Sequence, residues 1–343
     1  MAEPRDPIAD LKRIAFLLEV ASEPGYRVRA FRSAAATLAA LAPDELQRRS
    51  ASGTLQELAG IGEVTERTIL ESLAGVEPVY LRRLEASGPV PVEAGTAVIL
   101  DALRGDCHVH SDWSDGGAPI REMAEAARGL GREYIVLTDH SPRLTVANGL
   151  SPERLREQLE VVAALNAELA PFRILTGIEC DILSDGSLDQ EPELLSALDL
   201  VVGSVHSELR MEARAMTRRM VAALANPQLD VLGHMTGCMT SGKRRRPESA
   251  FDAEIVFAAA LRFDKAIEIN ARPERQDPPK RLLRLAVEAG CRFTIDTDAH
   301  APGQLAWLRN GAERAFRCGV TPSMVGNALA ADELLAWTAS HEA

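Results

Sequence analysis

Apolar and polar positions divide the chain into two regions of different periodicity. In residues 1–95 apolar side chains recur at helical spacing, for example at Ile8, Leu11 and Ile14, and this spacing predicts an all-helical region. Farther along the chain, short apolar runs alternate with longer amphipathic segments, a pattern typical of a parallel sheet flanked by helices. We therefore expect a small helical domain over 1–95 and an α/β domain over 103–343.

Seven segments of the second region have the length and apolar content of strands: 105–110, 133–138, 173–180, 199–206, 229–234, 265–270 and 292–297. Helical segments lie between them, for example 120–130, 153–169 and 280–290. A closed (β/α) barrel is favoured over an open sheet, because polar residues follow nearly every strand and a barrel brings the carboxyl ends of all its strands to one rim. We therefore predict a seven-stranded barrel.

Six of the seven histidines, together with three carboxylates, lie at the ends of all but one of these strands. The set comprises His108, His110, Asp115, His140, Glu179, His206, His234, Asp298 and His300. Nitrogen and oxygen ligands in this number suit two or three divalent ions of the zinc, manganese or iron type. The alternative, core histidines satisfied by hydrogen bonds, fits one histidine better than six in the same context. The sequence therefore predicts a metal centre that activates water for attack on an ester.

Spacing within this set indicates how the ligands are arranged. His108 and His110 are two residues apart on a strand, so both side chains project to the same side and can chelate one ion. Asp298 and His300 have the same spacing after the last strand. Glu179 has two carboxylate oxygens and is therefore the residue we expect to bridge two ions.

Cationic side chains follow several of the same strands, in predicted loops at the metal rim: Arg143, Lys243, Arg244, Arg245, Arg246, Arg272 and Arg275. Such residues clamp a phosphate, or else they form a solvated loop face, and for the run 243–246 both interpretations stay open. Arg275 is the strongest candidate, because the segment that carries it starts at the carboxyl end of a strand. Together with Arg275, we assign catalytic roles to Glu179, His206 and Asp298.

The helical region contains a Gly-Ile-Gly turn between two helical segments, which predicts a helix-hairpin-helix motif. Gly60 and Gly62 would let the backbone approach a phosphate at the free N–H groups of the second helix. Arg27, Arg29 and Arg32, near the start of the preceding Ala-rich helix, would add contacts to DNA phosphates.

Composition limits the remaining possibilities. The net charge of −12 gives no general attraction to nucleic acid, so any DNA binding must be local. Runs of eighteen apolar residues and an apolar signal-peptide core are both missing from the sequence, which argues against membrane insertion. Five scattered cysteines argue for a reducing, cytoplasmic location. Residues 87–100 contain two prolines and two glycines and are interpreted as a linker.

In order along the chain, His-x-His, Ser-Asp-Gly, Thr-Asp-His, a mid-chain Glu, Ser-Val-His, Gly-His and Asp-x-His closely resemble the motifs of the polymerase-and-histidinol-phosphatase (PHP) superfamily. The resemblance implies a distorted seven-stranded barrel with three divalent ions, Mn²⁺, Zn²⁺ or Fe²⁺. It implies one ion held by His108, His110, Glu179 and Asp298, a second held by Glu179, His206 and His234, and a third held by Asp115, His140 and His300.

Within the superfamily, the segments 137–158, 176–189 and 266–277 resemble the C-terminal PHP domain of bacterial family X DNA polymerases. The segment 25–35 and the hairpin that follows resemble the small helical DNA-binding domain that opens those enzymes. Those polymerases carry a catalytic palm between the two parts. Here only residues 87–102 connect the parts, and this segment lacks an Asp-x-Asp pair. Polymerase activity is therefore not expected. Lyase activity is not expected either, because the hairpin lacks a lysine.

Three functions remain in competition. The leading one is a metal-dependent phosphoesterase acting at DNA 3′ ends or abasic sites, as a 3′-5′ exonuclease, a 3′-phosphatase or an endonuclease. The alternative is a small-molecule phosphatase of the histidinol-phosphatase type, which the acidic net charge favours. The third is a catalytically idle DNA-binding scaffold, which the complete set of ligand positions disfavours. A membrane is not among the expected partners.

Overall fold

A computed structural model describes residues 5–88, 91–241 and 245–342. The chain forms two compact units, Met1–Pro91 and Val92–Ala343, and each has a hydrophobic core of its own. All five cysteines are buried free thiols. Within the described ranges, no helix has both the length and the apolar character needed to cross a bilayer.

The first unit is helical, as expected. Its described part contains the helices α1 (Pro7–Val20), α2 (Gly25–Ala39), α3 (Pro43–Ser52), α4 (Glu63–Leu73) and α5 (Val79–Ala86). The side chain of Asp6 caps α1 by accepting a hydrogen bond from the backbone N–H of Ile8 at 2.8 Å. Leu11, Ile14 and Leu18 on α1 are fully buried and pack with Phe31 of α2. The predicted apolar helix before the hairpin is a single 3₁₀ turn, Leu55–Glu57.

The proposed linker is wrong over its second half. Residues Ala94–Ala102 form a helix, α6, in which Ile99 is 2% exposed and belongs to the core of the second unit. Gly95 packs so closely on Phe316 that an added Cβ would lie 2.0 Å from its ring. The apolar run from Val98 to Leu100 was the sequence feature that indicated a packed helix, but the prolines and glycines nearby favoured the interpretation as a linker.

The second unit alternates strands and helices. After α6 its elements are β1 (Gly105–Val109), α7 (Ile120–Gly129), β2 (Tyr134–Leu137), α8 (Pro152–Leu169), β3 (Arg173–Asp181), α9 (Pro192–Leu195), β4 (Leu200–Ser204), α10 (Ala213–Leu224), β5 (Val231–Leu232), α11 (Ala253–Arg262), β6 (Ala266–Asn270), α12 (Lys280–Ala289), β7 (Arg292–Asp296), α13 (Leu308–Arg317) and α14 (Ala331–Ala339). The strands are parallel and follow one another in sequence order.

The sheet is almost closed. The backbone N–H of His110, just after β1, donates to the carbonyl of Ala299, just after β7, at 2.9 Å, and a parallel bridge joins Val109 to Ala299. The predicted seven-stranded barrel is therefore confirmed. Its carboxyl-terminal ends converge on one rim, as the closure of a barrel requires.

The opposite end of the barrel is covered by the C-terminal helix. Leu334 and Trp337 of α14 pack into a cluster with Val136, Leu175 and other strand residues. The seventh histidine, His341, lies at this end, where its Nδ1 is 2.7 Å from Oδ1 of Asp230. This histidine therefore lies at the end of the barrel opposite to the other six.

Candidate metal centre

Close packing of the strands positions the central carboxylate, Glu179. Two residues before it on β3, Gly177 lies so close to its neighbours that an added Cβ would be 2.6 Å from Val136 Cγ1 and 2.7 Å from the carbonyl oxygen of Leu200. Only glycine fits there without displacing β2 or β4. The register that results places Glu179 level with Val202 of β4 and at a parallel bridge with His140.

All nine predicted ligands converge at the carboxyl-terminal rim. His108 lies on β1, Glu179 lies on β3, and the others follow the strands: His110, Asp115, His140, His206, His234, Asp298 and His300. Most of the side chains are buried, whereas that of Asp115 is 36% exposed and that of His300 is 18% exposed. The site is therefore deep, and these two residues stand at its open side.

Glu179 lies at the centre of a ring of imidazoles. Its Oε1 is 2.8 Å from Nε2 of His234 and 3.2 Å from Nε2 of His206. Its Oε2 is 2.9 Å from Nδ1 of His140 and 3.3 Å from Nε2 of His108. One carboxylate thus has a group of histidines on each oxygen, which is the arrangement expected of a bridging ligand.

A second group of ligands surrounds Asp115. Its Oδ1 is 3.3 Å from Nε2 of His300 and 3.5 Å from Nε2 of His140. His110 contacts both groups, since its Nε2 is 3.6 Å from Oε2 of Glu179 and its ring centroid is 4.2 Å from that of His300. The same Nε2 is 3.4 Å from Oδ1 of Asp298.

Three sets of these residues place their ligand atoms within 4.8 Å of one another. The sets are His110, Asp115, His140 and His300; His108, His110 and Glu179; and His140, Glu179 and His206. The first two largely reproduce the groups that the family resemblance implies. The third contains His140 where that resemblance places His234, although His234 is the histidine nearest to Glu179.

The buried polar atoms fit divalent cations. Several ring nitrogens have neither solvent nor a hydrogen-bond partner in the described structure: His108 Nε2, His110 Nδ1 and Nε2, His140 Nδ1, His206 Nδ1 and Nε2, and His234 Nδ1. Leaving such atoms unpaired costs roughly 1–3 kcal/mol each. An ion that coordinates them removes this cost, and imidazole and carboxylate donors suit transition metals.

Electrostatics divides the histidines into two kinds. Burial lowers the pKa of His110 well below its ordinary value, and burial with the nearby Arg275 lowers the pKa of His234 to about 4. Burial also disfavours the charged form of His206, but the carboxylates of Glu179 and Asp181 together outweigh it and raise the pKa to about 9. His110 and His234 therefore present neutral rings at pH 7, whereas His206 must lose a proton before it can ligate.

The backbone at Asp298 is unusual. Its φ of +53° lies in the left-handed region, which is uncommon for residues other than glycine but tolerated by aspartate. The carboxylate is held on both sides, because Arg275 Nε donates to Oδ2 at 2.9 Å and Arg272 Nη1 lies 3.5 Å from Oδ1. Strained residues of this kind persist where the surroundings determine the geometry, as they do at functional sites.

Two residues of β6, Glu268 and Asn270, were missed in the sequence. Glu268 Oε1 is 2.6 Å from Nδ1 of His108, and its Oε2 accepts from the backbone N–H of His234. Asn270 Nδ2 donates to Glu268 Oε2 and to Asp298 Oδ2, both at 3.2 Å. One feature of the sequence could have identified them. Glu268 and Asn270 are two residues apart on the strand without a predicted ligand, and His108 and His110 have the same spacing.

A buried aspartate, Asp139, holds the loop that carries Asp115. Its Oδ1 accepts from the backbone N–H of Ser111 and from the Ser114 hydroxyl, and its Oδ2 accepts from Gln158. Each of these bonds fixes a point on the β1–α7 loop or on α8. The Ser-Asp-Gly motif is thus tied to the Thr-Asp-His motif through the middle residue of the latter.

The predicted phosphate-binding cations lie in different places. Arg272 and Arg275 reach the metal rim, as described above. Arg143 does not point into the site, since its side chain is 67% exposed and its Nε lies 3.5 Å from Asp189 Oδ1. Lys243 and Arg244 lie outside the described residues. Arg245 is exposed and Arg246 is half-buried.

Two of the three arginines predicted to contact DNA form ion pairs within the first unit. Arg27 Nη1 pairs with Glu23 at 2.5 Å, and Arg32 Nε pairs with the buried Glu19 at 2.8 Å. Arg29 is exposed. Sequence spacing did not reveal that two of the three guanidinium groups have carboxylate partners.

The hairpin itself has the expected backbone. Gly60 has a φ of +80°, which favours glycine, and Gly62 is the N-cap of α4. Two acidic residues, Glu63 and Glu66, occupy the first turn of that helix. They stabilise the helix but oppose the approach of a phosphate to its N terminus.

Comparison with known families agrees with this geometry. Residues 106–272 match the model of the PHP domain, and residues 4–76 match the model of a helix-hairpin-helix domain. The chain contains a PHP domain preceded by a helix-hairpin-helix domain. The expected resemblance is thereby confirmed, and the matched PHP domain is of the metal-dependent phosphoesterase type, which hydrolyses ester bonds.

Curated relatives of two kinds resemble this chain. DNA polymerase/3′-5′ exonuclease PolX of Bacillus subtilis (strain 168) is 41% identical over 216 residues, which are 63% of this chain and 37% of that protein. A probable phosphatase of Thermoanaerobacter sp. (strain X514) is 28% identical over 238 residues, which are 65% of this chain and 89% of that protein. The chain thus spans little more than a third of the first relative.

Among solved structures, histidinol phosphate phosphatase from Lactococcus lactis subsp. lactis Il1403, complexed with zinc, L-histidinol and phosphate, has a TM-score of 0.47 and 23% identity. The superposition covers 63% of this chain and 94% of that chain. A likeness at this level does not bear on the substrate.

Proposed function

We propose that this protein hydrolyses phosphodiester or phosphomonoester bonds at DNA 3′ ends, as a 3′-5′ exonuclease, a 3′-phosphatase or an endonuclease at abasic sites. One observation carries the proposal: a helix-hairpin-helix domain and a PHP domain are present in one chain. The identity of 41% to a protein named as a polymerase and 3′-5′ exonuclease supports the same choice.

The proposed centre holds three divalent ions of the manganese, zinc or iron type. The ligand groups are His108, His110, Glu179 and Asp298; Glu179, His206 and His234; and Asp115, His140 and His300. When bound, such ions supply the Lewis acidity that activates water and polarises a phosphoryl group. Glu179 would contribute to the holding of two of the ions, because histidines lie against both of its oxygens, while Glu268 would orient the ring of His108 through Nδ1.

Arg272 and Arg275 are proposed to receive the scissile phosphate. Arg272 Nε and Arg275 Nη1 are buried and make no hydrogen bond to the described residues, although Arg272 Nε lies 3.7 Å from Glu274 Oε2. Each guanidinium is already anchored by Asp298, so it is oriented before a substrate arrives. A preoriented guanidinium binds a phosphate oxygen at a lower entropic cost than a free one does. Arg275, Glu179, His206 and Asp298 remain the proposed catalytic residues.

In the first unit, the proposed DNA contacts are Gly60, Gly62 and Arg29, and the side chain of Arg29 is exposed, with no carboxylate paired to it among the described residues. Arg27 and Arg32 would have to exchange Glu23 and Glu19 for DNA phosphates. Because each existing ion pair would be lost, the net binding free energy of each DNA contact is reduced. The proposed affinity of the unit for DNA is therefore modest.

A small-molecule phosphatase of the histidinol-phosphatase type is the second candidate. Two observations favour it: the acidic first turn of the hairpin helix and the similarity to probable phosphatases over 89% of their length. A phosphorylated small molecule would need only the metal centre and the two arginines, without the helical unit.

The deciding experiment compares two substrates with the same preparation. Purified protein supplied with Mn²⁺ is incubated in parallel with a 3′-labelled oligonucleotide and with histidinol phosphate. Our proposal expects the label to be released with the higher kcat/KM. Efficient turnover of histidinol phosphate with an intact oligonucleotide would replace it with the second candidate. Primer extension, tested alongside, is expected to be absent.

A further inference from the structure

A basic cavity of about 860 Å³ lies at the metal rim and is not used by the site described above. Its lining comes mainly from the loop after β5, including Cys238 and Arg245, and from the loop after β6, including Gln276. Lys280 of α12 and Arg314 of α13 complete it among the described residues. Both loops leave the carboxyl-terminal ends of their strands. In a barrel such loops share one face, so the cavity and the metal centre open on the same side of this domain.

One short segment separates the cavity from the metal centre. The Cys238 thiol, in the cavity wall, donates to the backbone carbonyl of Arg275 at 3.2 Å. The side chain of Arg275 extends the other way and reaches Asp298 at 2.9 Å. Arg275 therefore separates a ligand in the cavity from the metal centre, and its guanidinium is the group that we propose binds the scissile phosphate.

The charge of the lining is opposite to that of the whole protein. Four cations line the cavity within the described part of the chain, Arg245, Arg246, Lys280 and Arg314, although the protein has a net charge of −12. The carboxylate among the lining residues, Glu248, is paired with Arg281. Anions would thus be attracted here although the protein as a whole repels them.

The four cations have different roles. Arg246 donates from Nε to the backbone carbonyl of Gly237 at 2.5 Å, within its own loop. Arg314 is 9% exposed and donates to the carbonyls of Asn270 and Gln276, at 2.9 and 2.7 Å, so it holds the β6–α12 loop in shape. Arg245 and Lys280 are exposed to solvent, and both are available to an incoming ligand. Lys280 is also the first residue of α12, where the helix dipole adds to its positive charge.

The remaining walls are apolar and suit a base or a sugar. Met239, Pro247 and Pro279 contribute them. The cavity is within the usual size range for ligand sites of about 300–1,000 Å³, and it is far larger than one phosphate needs. A single small phosphoester bound at the metal centre would leave it unfilled.

We infer that this cavity binds the stretch of single-stranded DNA adjoining the scissile phosphate, with backbone phosphates on Arg245 and Lys280 and a nucleoside against the apolar walls. The inference rests on the proposed function and narrows it, because it makes a polymeric strand the preferred substrate. It also gives Arg245 a role in the sequence run whose purpose the pattern alone left open.

The test removes the two exposed charges together, as Arg245→Gln/Lys280→Gln. Because both side chains are exposed, the substitutions do not disturb a packed core. The matched control is Arg128→Gln/Arg262→Gln, which removes two exposed charges at the carboxyl-terminal ends of α7 and α11, at the opposite end of the barrel. Circular dichroism and thermal unfolding verify that all proteins are folded.

Binding is measured on the full-length protein with Mn²⁺, by fluorescence anisotropy of a labelled phosphorothioate oligonucleotide that resists hydrolysis. For the cavity variant we expect Kd to rise about tenfold and the slope of log Kd against log salt to fall by about 1.4, from two lost single-strand contacts of about 0.7 each. The ratio of kcat/KM for an oligonucleotide to that for p-nitrophenyl phosphate should fall about tenfold. The control should match the wild type.

The outcomes separate this inference from the proposed function. If the cavity variant binds as tightly as the wild type, if the control weakens binding equally, or if the wild type does not bind, the inference is overturned. If the wild type binds through the cavity but leaves an ordinary oligonucleotide intact, the proposed function fails while the binding site stands. If the wild type and the cavity variant cleave equally well, the binding site fails alone.

Discussion

Nδ1 of His108 lies 2.6 Å from Oε1 of Glu268, with both side chains fully buried inside the barrel. The contact joins β1 to β6, the strand without a ligand of its own. A carboxylate on Nδ1 fixes the tautomer and the ring orientation, so that Nε2 faces Glu179 at 3.3 Å. Glu268 is in this sense a positioning residue for the metal centre.

Replacing Glu268 with Gln should weaken metal binding by about 10- to 100-fold, because the His108 ring loses its charged partner. Isothermal titration with Mn²⁺ measures the effect directly, without reference to activity. Glu160→Gln, an exposed change on α8, serves as the matched control. Equal Mn²⁺ affinity in the Glu268 variant and the wild type would show that the contact has no role in positioning the ligand.

Replacing Glu179 with Gln should abolish hydrolysis and lower the metal content, since one carboxylate lies against histidines on both of its oxygens. The wild type is expected to carry two to three transition-metal ions per chain, measured by inductively coupled plasma mass spectrometry. A Glu179→Gln protein with full activity and full metal content would contradict the proposed site.

Acid should weaken the helical unit through Asp10. Burial raises the pKa of this carboxyl, but hydrogen bonds from Arg5 and Ser72 outweigh it, and the folded-state pKa lies below the ordinary 3.8. The stabilisation is therefore present above pH 3.8 and is lost as the pH falls through the lower folded-state value. Chemical unfolding of the wild type and Asp10→Asn, from pH 6 to pH 3, should show a stability difference that shrinks with acid. A difference independent of pH would refute this role.

Removing the helical unit tests what it contributes. The barrel core is formed within Val92–Ala343, so a chain that starts at Val92 should still hydrolyse p-nitrophenyl phosphate. Its activity on a long oligonucleotide should fall through a higher KM, and this activity should depend less steeply on salt. Identical oligonucleotide kinetics and salt dependence in both proteins would show that the unit does not deliver DNA, and would favour the small-molecule phosphatase.

The convergence of the nine candidate metal ligands was predictable because its signals are local. A spacing of two on a strand places His108 and His110 on one side, and parallel strands joined by helices bring their carboxyl ends together. Each ligand could therefore be located from its own few residues and the position of its strand. The family motifs added the grouping into three ions, which the structure reproduces in part through the sets around Glu179 and Asp115.

The linker shows where local signals mislead. Prolines and glycines over 87–100 indicated an irregular segment, yet Ala94–Ala102 is a helix. Helix formation there depends on packing, since Ile99 enters the core of the barrel unit and Gly95 lies against Phe316. Tertiary contacts of this kind override composition.

By itself, the sequence determined the number and order of the strands, the nine metal-binding candidates and the helical character of the first unit, because all of these follow from periodicity and strand position. Only the tertiary structure decided which charges meet. Glu268 contacts His108, which is 160 residues away in the sequence, and Arg32 pairs with Glu19, which is 13 residues away. Ion pairs and hydrogen bonds act over a few ångströms, so distance in space, which sequence spacing does not encode, determines whether a charged residue holds a ligand, a substrate or another side chain.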